Sequence, residues 1–358
     1  MRRTEIRNAG GWTNAGRPLS MAARPAVLPG ALYIHPAAAV SIPGGPAAHT
    51  TLPMNRTRLA LRALAVLLAF GIGTGCEKEK TPATGGGTPA AKVLKFSAIP
   101  DQDKKHLEKF NAVAAHLSKE LGVPVEYVAS ADYAPSVTAF RNGDIHLAWF
   151  GGLTGVMARQ FVPGARAIAQ GETDPQFIAY VIAHKSSGLV PSDKFPLQLG
   201  ELKFTFGGMQ STSGRLMPQF FIEQESGMSA EQFFKQGLNF AKDHDATCEL
   251  VQSGAFQAGV VNYSVYEKRV KEGKTDPAVV QVIWKTPPFA DYNWTAHPDL
   301  EKTYGAGFTD KLQKAIIDMT TKAPALLEVF PRKAMIPARN EDYEGIKAVA
   351  EKLGFLKS

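Results

Sequence analysis

The chain has 358 residues, of which 44% are hydrophobic, so it can bury one large core or the cores of two lobes. Its formal net charge of +7 comes from the first 75 residues, which contain eight arginines, no lysine and a single acid, Glu5. The whole chain has 40 basic and 33 acidic residues, so 32 of each lie from Cys76 onward, and the charge gives no indication of nucleic-acid binding.

Residues 54–75 have the pattern of a bacterial lipoprotein signal peptide. Three arginines come first, an apolar stretch over residues 63–72 follows, and small residues lead directly to Cys76. The apolar stretch is too short to cross a bilayer. We therefore predict export to the periplasm, cleavage before Cys76, and a lipid on its thiol that anchors the protein to the cell envelope. An ordinary secretory signal followed by an unrelated cysteine is the alternative.

The segments on either side of this signal have no periodic pattern. Residues 1–53 are rich in Pro, Ala and Gly. Because a signal peptide acts at an N-terminus, we predict that translation starts at Met54 and that residues 1–53 are a mis-annotated extension. Residues 76–92 are charged and then rich in Gly, Pro and Thr, which is typical of a flexible tether. Cys248 is the only other cysteine, so the folded part has no internal disulfide.

From residue 93 onward, short apolar strands alternate with amphipathic helices. A first series has predicted strands at 93–99, 123–128, 145–150, 165–170 and 177–184, and helices at 104–121, 134–142 and 153–161. A second series has predicted strands at 204–206, 239–241, 259–262 and 279–285, and helices after Gly214 and near 246–255. Residues 296–358 have a mainly helical pattern. Such an alternation is typical of a largely parallel sheet.

Two α/β series followed by a helical return predict an α/β protein with two lobes and a ligand cleft between them. We assign residues 93–185 to the first part of lobe 1 and residues 186–286 to lobe 2. Residues 287–358 are predicted to return to lobe 1.

Three hydroxyl residues stand between a predicted strand and a predicted helix, in the stretch Ser211-Thr212-Ser213-Gly214. A helix N-terminus has unpaired N–H groups and a partial positive charge, so it can hold an oxyanion, and nearby hydroxyls can donate further hydrogen bonds. Plain helix capping is the simpler explanation of the local pattern. No Gly-Lys-Ser/Thr sequence is present, so the stretch is not an ATP-type phosphate loop.

Residues 94–300 resemble the phosphonate-binding solute receptors of ATP-driven (ABC) importers. The resemblance rests on five stretches in matching order and spacing: Asp132-Tyr133-Ala134, 147–151, 205–214, Asp243-His244-Asp245 and 282–285. The opening residues 96–102 resemble a branch of the family provisionally assigned to selenate. The resemblance implies a periplasmic binding protein fold of type II-like architecture, with two lobes that close about a hinge.

The resemblance also implies a set of ligand-binding residues. Ser211, Thr212 and Ser213 would bind the oxyanion through N–H and hydroxyl groups. His244 matches a histidine that donates to the anion, and we expect its effect to be largest where the imidazole is protonated. The remaining matches are Tyr133 and Phe150 as cleft aromatics, with Phe150 standing where tyrosine is common, and Asp291 near an acid that contacts a ligand amine or a protonated oxygen.

Two further candidates come from the residues themselves. Asn262 ends a predicted strand and is expected to face the cleft. Arg215 directly follows the hydroxyl stretch, where it either helps to neutralise a dianion or points to solvent. The histidines are scattered without metal-ligand spacing and no nucleophile–base pair is recognisable, so we predict no metal, no cofactor and no catalysis.

We therefore predict a monomeric, lipid-anchored, periplasmic solute-binding protein of an ABC importer. It would capture a small tetrahedral oxyanion, which is selenate-like or a phosphonate or phosphite, and deliver it to a membrane permease and its ATPase. No nucleic-acid partner is expected. The alternatives are a periplasmic sensing partner and, on the same scaffold, an enzyme that acts on a phosphorylated small molecule.

Overall fold

The computed structural model of the protein describes residues 92–98 and 104–356, and for residues 104 and 105 the backbone alone. The predicted start at Met54, the signal peptide, Cys76 and all of the tether except its last residue lie outside the described residues. No helix in the described part of the chain is long and apolar enough to cross a membrane.

The described residues form ten strands and ten α-helices. The strands are β1 (Leu94–Ala98), β2 (Val125–Tyr127), β3 (Leu147–Phe150), β4 (Arg166–Gly171), β5 (Ala179–His184), β6 (Phe204–Thr205), β7 (Ala258–Asn262), β8 (Val280–Lys285), β9 (Asn293–Ala296) and β10 (Met335–Pro337). The helices are α1 (Lys104–Leu121), α2 (Tyr133–Asn142), α3 (Gly152–Phe161), α4 (Met217–Ser226), α5 (Ala230–Phe233), α6 (His244–Gln252), α7 (Tyr263–Lys271), α8 (Asp299–Tyr304), α9 (Phe308–Lys322) and α10 (Glu344–Lys352).

The strands form two sheets, one in each lobe. The first lobe has the six-stranded sheet β10-β4-β9-β3-β1-β2, and the second has the four-stranded sheet β6-β7-β5-β8. Of the eight strand pairings in the described residues, three are parallel and five antiparallel. The prediction of a largely parallel sheet is therefore wrong. The returning strand β9 inserts antiparallel between β3 and β4, in a stretch whose pattern gave no strand signal.

The chain crosses into the second lobe earlier than predicted. Strand β5 pairs antiparallel with both β7 and β8, so it belongs to the second sheet. The first crossing therefore lies between Gly171 and Ala179, and the predicted boundary at residue 185 is one strand too late. The reason is that β4 and β5 are both short apolar runs, and such a run does not reveal which sheet it joins.

The two crossings between the lobes lie side by side. Phe177 and Phe289 exchange two backbone hydrogen bonds of 2.9 Å, and the N–H of Asp291 donates to the carbonyl of Asp174 at 3.1 Å. Arg332, from the returning segment, donates to both carboxylate oxygens of Asp174 at 2.5 and 3.0 Å, and both side chains are almost fully buried. A paired double crossing of this kind is suited to a hinge motion between lobes.

Candidate ligand-binding site

The hydroxyl stretch forms a single π-helical turn, Thr212–Leu216, which continues into α4. The Ser211 hydroxyl accepts a hydrogen bond of 2.9 Å from the N–H of Gly214, so Ser211 does cap this turn. The hydroxyl keeps its own proton for donation, because the cap uses only an oxygen lone pair. Capping and ligand binding are therefore compatible at Ser211.

Glycines let this turn lie against its neighbours. The N–H of Gly207 donates to the carbonyl of Gly214 at 2.8 Å. A Cβ atom on Gly214 would lie 2.9 Å from Ser211 Oγ, 3.1 Å from Gly207 Cα and 3.1 Å from His244 Cε1. On Gly208, a Cβ atom would lie 2.9 Å from Tyr133 Cε2. The turn therefore packs closely on both the first lobe and the start of α6.

Thr212 and Asp291 are bound to the N-terminus of α3, in the first lobe. The N–H of Leu153 donates to Thr212 Oγ1 at 2.9 Å, and the N–H of Gly152 donates to Asp291 Oδ1 at 3.0 Å. The residue before the helix, Gly151, has no side chain that could cap it. Thr212 and Asp291 thus serve as caps supplied from distant parts of the chain, and Thr212 joins the two lobes.

Of the buried polar atoms that have no hydrogen-bond partner among the described residues, three lie on residues that the family resemblance implies in ligand binding. They are Ser213 Oγ, His244 Nε2 and Asp291 Oδ2. The exposed fractions of these residues are 1%, 7% and 1%. Buried polar groups in proteins are nearly always paired. The Ser213 hydroxyl is close enough to Asp291 to lower the pKa of that carboxyl as a donor, although their geometry falls short of a full hydrogen bond, and Gly214 lies against the His244 ring. The three atoms therefore mark one site.

His244 is a neutral hydrogen-bond donor. It is the first residue of α6, where Asp243 is the cap, and its Nδ1 accepts a hydrogen bond of 3.2 Å from the N–H of Asn262. A backbone N–H can only donate, so the imidazole proton is on Nε2. Burial lowers the pKa of His244 to about 4. In the ligand-free protein, burial and the bond to Nδ1 therefore both disfavour the cation, and the expected effect of a protonated imidazole on binding stays a prediction.

Asp291 is a carboxyl group that is half protonated near neutral pH. Its pKa is raised to about 7, chiefly by burial and also by the charge of Asp174, against the opposing effect of the Gly152 N–H. The hydroxyls of Thr212 and Ser213 lower it. In its protonated form Asp291 can donate a hydrogen bond, and in its ionised form it can only accept.

A cavity of about 500 Å³ lies beside these residues, with Tyr133, Trp149, His244, Asn262 and Tyr292 in its wall. The hydroxyl turn and Asp291 do not line this cavity, and they adjoin it through two of its wall residues, His244 and Tyr292. Its outer wall is electrically balanced. Besides Arg332, which is paired with an acid, it has four basic side chains (Lys242, Lys268, Arg269 and Lys274) and four acidic ones (Asp243, Asp245, Glu249 and Glu272).

The aromatic residues of the wall differ from those expected. Phe150 does not line the cavity: it packs edge-on against Phe140, with ring centroids 5.6 Å apart, in the apolar cluster between α2 and α3. Trp149, on the opposite face of β3, lines the cavity and stacks on Tyr292 at 5.6 Å. Alternation along a strand means that only one of these two neighbours can face the cleft, and the sequence did not say which. Tyr133 lines the cavity, as expected.

Arg215 neither reaches the cavity nor points to solvent. Its guanidinium carbon lies 4.5 Å from the ring centroids of both Phe206 and Phe240, and the residue is only 8% exposed. Burial lowers its pKa to about 10, which leaves it charged at neutral pH. Arg215 therefore packs behind the hydroxyl turn through cation–π contacts.

Two other kinds of reactive group are a nucleophilic thiol and a metal-binding cluster. Burial raises the pKa of the Cys248 thiol to about 12, so the thiolate needed for nucleophilic attack is scarce. No group of three His, Cys, Asp or Glu side chains able to hold a metal ion occurs within residues 92–98 and 104–356.

Comparison with known proteins agrees with this architecture. The model of the ABC transporter phosphonate periplasmic substrate-binding proteins matches residues 96–343. The chain belongs to this family. Members of this phosphonate-binding family are solute-binding components of ABC importers and not enzymes, so a small ligand, a permease and an ATPase are the partners of the chain. They work in the periplasm, so the protein is exported.

Two proteins of known description are similar to this chain over most of its length. The chain is 39% identical over 272 residues to the probable ABC transporter phosphite binding protein PhnD1 of Prochlorococcus marinus (strain MIT 9301), covering 74% of this chain and 91% of the relative. The structure of that protein in complex with methylphosphonate has a TM-score of 0.69 and 38% identity, over 74% of this chain and 99% of the other. A binding protein of a phosphonate ABC transporter from Pseudomonas aeruginosa, at 18% identity and a TM-score of 0.62, shares the fold over 72% of this chain and 85% of its own.

Proposed function

We propose that the protein captures phosphite or a short phosphonate such as methylphosphonate in the periplasm and, as a monomer, delivers it to the permease. The observation that carries the proposal is the set of three buried unpaired atoms, of which Ser213 Oγ and His244 Nε2 can donate and Asp291 Oδ2 can accept. The similar protein from Prochlorococcus, described as phosphite binding and solved with methylphosphonate, supports the ligand class.

Helix N-termini supply the remaining attraction for an anion. Tyr133, Gly152, Thr212 and His244 are each the first residue of a helix or helical turn. Contacts between these four segments bring their N-termini together. Partial positive charges at such termini stabilise an oxyanion without a lysine or arginine in contact with it.

In its ionised form, Asp291 favours a phosphorus oxyanion over selenate. An ionised carboxylate repels an anionic oxygen but accepts a hydrogen bond from a protonated one. Phosphorus oxyanions hold a second proton up to a pH near 6, so their P–OH form exists around neutral pH. Selenate and sulfate have no such proton there. One acceptor and several donors together match a phosphite or phosphonate that carries one P–OH group.

Calorimetric titration with phosphite, methylphosphonate, phosphate, sulfate and selenate tests the ligand class. We expect phosphite or methylphosphonate to bind most tightly, and Ser213→Ala to weaken that binding about tenfold or more, because it removes one hydrogen bond to a charged oxygen. Its melting temperature should change little, since the Ser213 hydroxyl caps no helix and makes no hydrogen bond of full geometry within the described residues. Ser211→Ala is the contrast: it should lower stability by ~1 kcal/mol through loss of the cap. Tighter binding of selenate or sulfate would overturn the ligand class.

We also propose that Cys76 carries a lipid anchor, on the signal pattern of residues 54–75. In cells, Cys76→Ala should move the protein from washed membranes to the soluble fraction. Mass spectrometry should find Cys76 as a lipidated N-terminus. A soluble wild-type protein with an unmodified cysteine would refute the anchor, and would leave periplasmic ligand capture unaffected.

A further inference from the structure

The amide of Asn262 has an orientation that hydrogen-bond chemistry fixes. The N–H and the hydroxyl of Ser264 both lie 2.8 Å from Asn262 Oδ1. A backbone N–H can only donate, so the amide atom facing it must be the oxygen. The amide nitrogen therefore faces Tyr292, whose hydroxyl oxygen lies 3.0 Å away. The oxygen of the Asn262 side chain and one of its two amide protons are used by these bonds.

The amide nitrogen in turn fixes the hydroxyl of Tyr292. An NH₂ group only donates, so the Tyr292 oxygen is the acceptor and its own proton must go elsewhere. No acceptor for that proton occurs among the residues that the structure describes. Tyr292 lies in the cavity wall, with its ring held between Trp149 at 5.6 Å and the guanidinium of Arg332 at 5.2 Å. The proton is thus available on the cavity side.

The main-chain N–H of Asn262 fixes the tautomer of His244. The N–H of Asn262 donates to Nδ1, which leaves the imidazole proton on Nε2, the buried atom without a partner. One residue therefore determines where two protons lie, through its main chain for His244 and through its side chain for Tyr292.

We infer that Tyr292 is a further ligand-binding residue and that Asn262 is the positioning residue that aims two neutral donors, Tyr292 Oη–H and His244 Nε2–H, at the bound oxyanion. This inference rests on the proposed function for the identity of the ligand. Ligand selectivity then comes from the fixed orientation of these two donors. An anion whose protonated oxygen lies at either position has no acceptor there and binds weakly.

Asn262→Asp tests the side-chain half. A carboxylate can still accept from Ser264 and cap α7. The Tyr292 hydroxyl would then donate its hydrogen bond to this carboxylate, and a lone pair of the Tyr292 oxygen would face the ligand. We expect the Kd for phosphite or methylphosphonate to rise at least tenfold in Asn262→Asp, and about tenfold in Tyr292→Phe. In the Tyr292→Phe background, Asn262→Asp should cost clearly less, because no hydroxyl remains to be reversed. The added negative charge is the same in both backgrounds and cancels in the cycle.

A matched control separates positioning from folding. Asn340 also holds two backbone groups, accepting from the Ala167 N–H at 2.8 Å and donating to the Ala165 carbonyl at 3.3 Å. It lies outside the cavity wall, so Asn340→Asp should lower the melting temperature and leave the Kd unchanged. Additive effects in the Asn262–Tyr292 cycle, or a Tyr292→Phe protein that binds like the wild type, would overturn the inference.

The histidine half is tested without any ligand. Nitrogen-15 NMR of the free wild-type protein should show His244 as the Nε2–H tautomer, with no titration between pH 5 and pH 8. The Nδ1–H tautomer would overturn this half. A wild-type protein that binds none of the five anions would contradict the proposed function and with it the role of Tyr292 in binding, while the tautomer measurement would still decide the histidine half.

Discussion

Asp291→Asn should make the ligand-free protein more stable than the wild type at pH 8, and equally stable near pH 4. In the folded protein the pKa of Asp291 is raised to about 7 from 3.8, chiefly by burial. Between these values the folded state holds a proton that the unfolded state releases. Wild-type stability therefore falls as the pH rises through this window, by up to ~4 kcal/mol. Asparagine has no proton to lose, so its curve lacks this fall.

Urea denaturation of both proteins from pH 4 to pH 8 measures the difference. The comparison at pH 4 is the internal control, because the carboxyl is then protonated in the folded state. Equal pH dependence in the two proteins would show that Asp291 titrates normally. In binding, the same substitution should weaken the preference for a protonated oxyanion and improve the binding of sulfate and selenate, because the amide nitrogen donates where the carboxylate repelled.

Gly214→Ala should reduce ligand affinity about a hundredfold, the largest effect on binding that we expect from one substitution. The new methyl group would lie 2.9 Å from Ser211 Oγ and 3.1 Å from His244 Cε1, with the backbone of Gly207 behind it at 3.1 Å. Because the backbone cannot retreat, the two side chains must move. Two misplaced hydrogen bonds to a charged oxygen account for an effect of this size.

Gly345→Ala is the matched control for this substitution. Gly345 is the second residue of α10, and a Cβ atom there would meet no atom within 4 Å. We expect this variant to bind normally and to gain roughly 0.5–1 kcal/mol of stability, as alanine does in helices. Normal binding by Gly214→Ala as well would mean that the turn does not contact the ligand.

The elements of the fold were predictable because their patterns are local. Helix α1 was expected over residues 104–121 and is found there, since its apolar spacing is sustained for five turns. The partners of each strand were not predictable, because β5 has the same apolar character whichever sheet it joins. The four-residue strand β9 has no pattern of its own and is defined only by its insertion between β3 and β4.

The site was predictable where a continuous motif carries it and not where contacts between segments decide it. The structure brings together Tyr133, Ser213, His244 and Asp291, all expected from the family resemblance; that they bind the ligand stays a prediction. Trp149 was missed because alternation along β3 decides which aromatic faces the cleft, and Tyr292 because it precedes β9, a strand that the pattern did not reveal. The neutral state of His244 depends on the N–H of Asn262, 18 residues further along the chain.

The balanced charges of the cavity wall bear on how quickly the protein finds its ligand. Apart from the Arg332–Asp174 pair, four acidic and four basic side chains lie there, so their charges sum to zero and add little net field to draw anions inward. Association then proceeds by unassisted diffusion, and dissolved salt has little field to screen. The association rate for an anion should thus change little with ionic strength, which stopped-flow binding at low and high salt would measure.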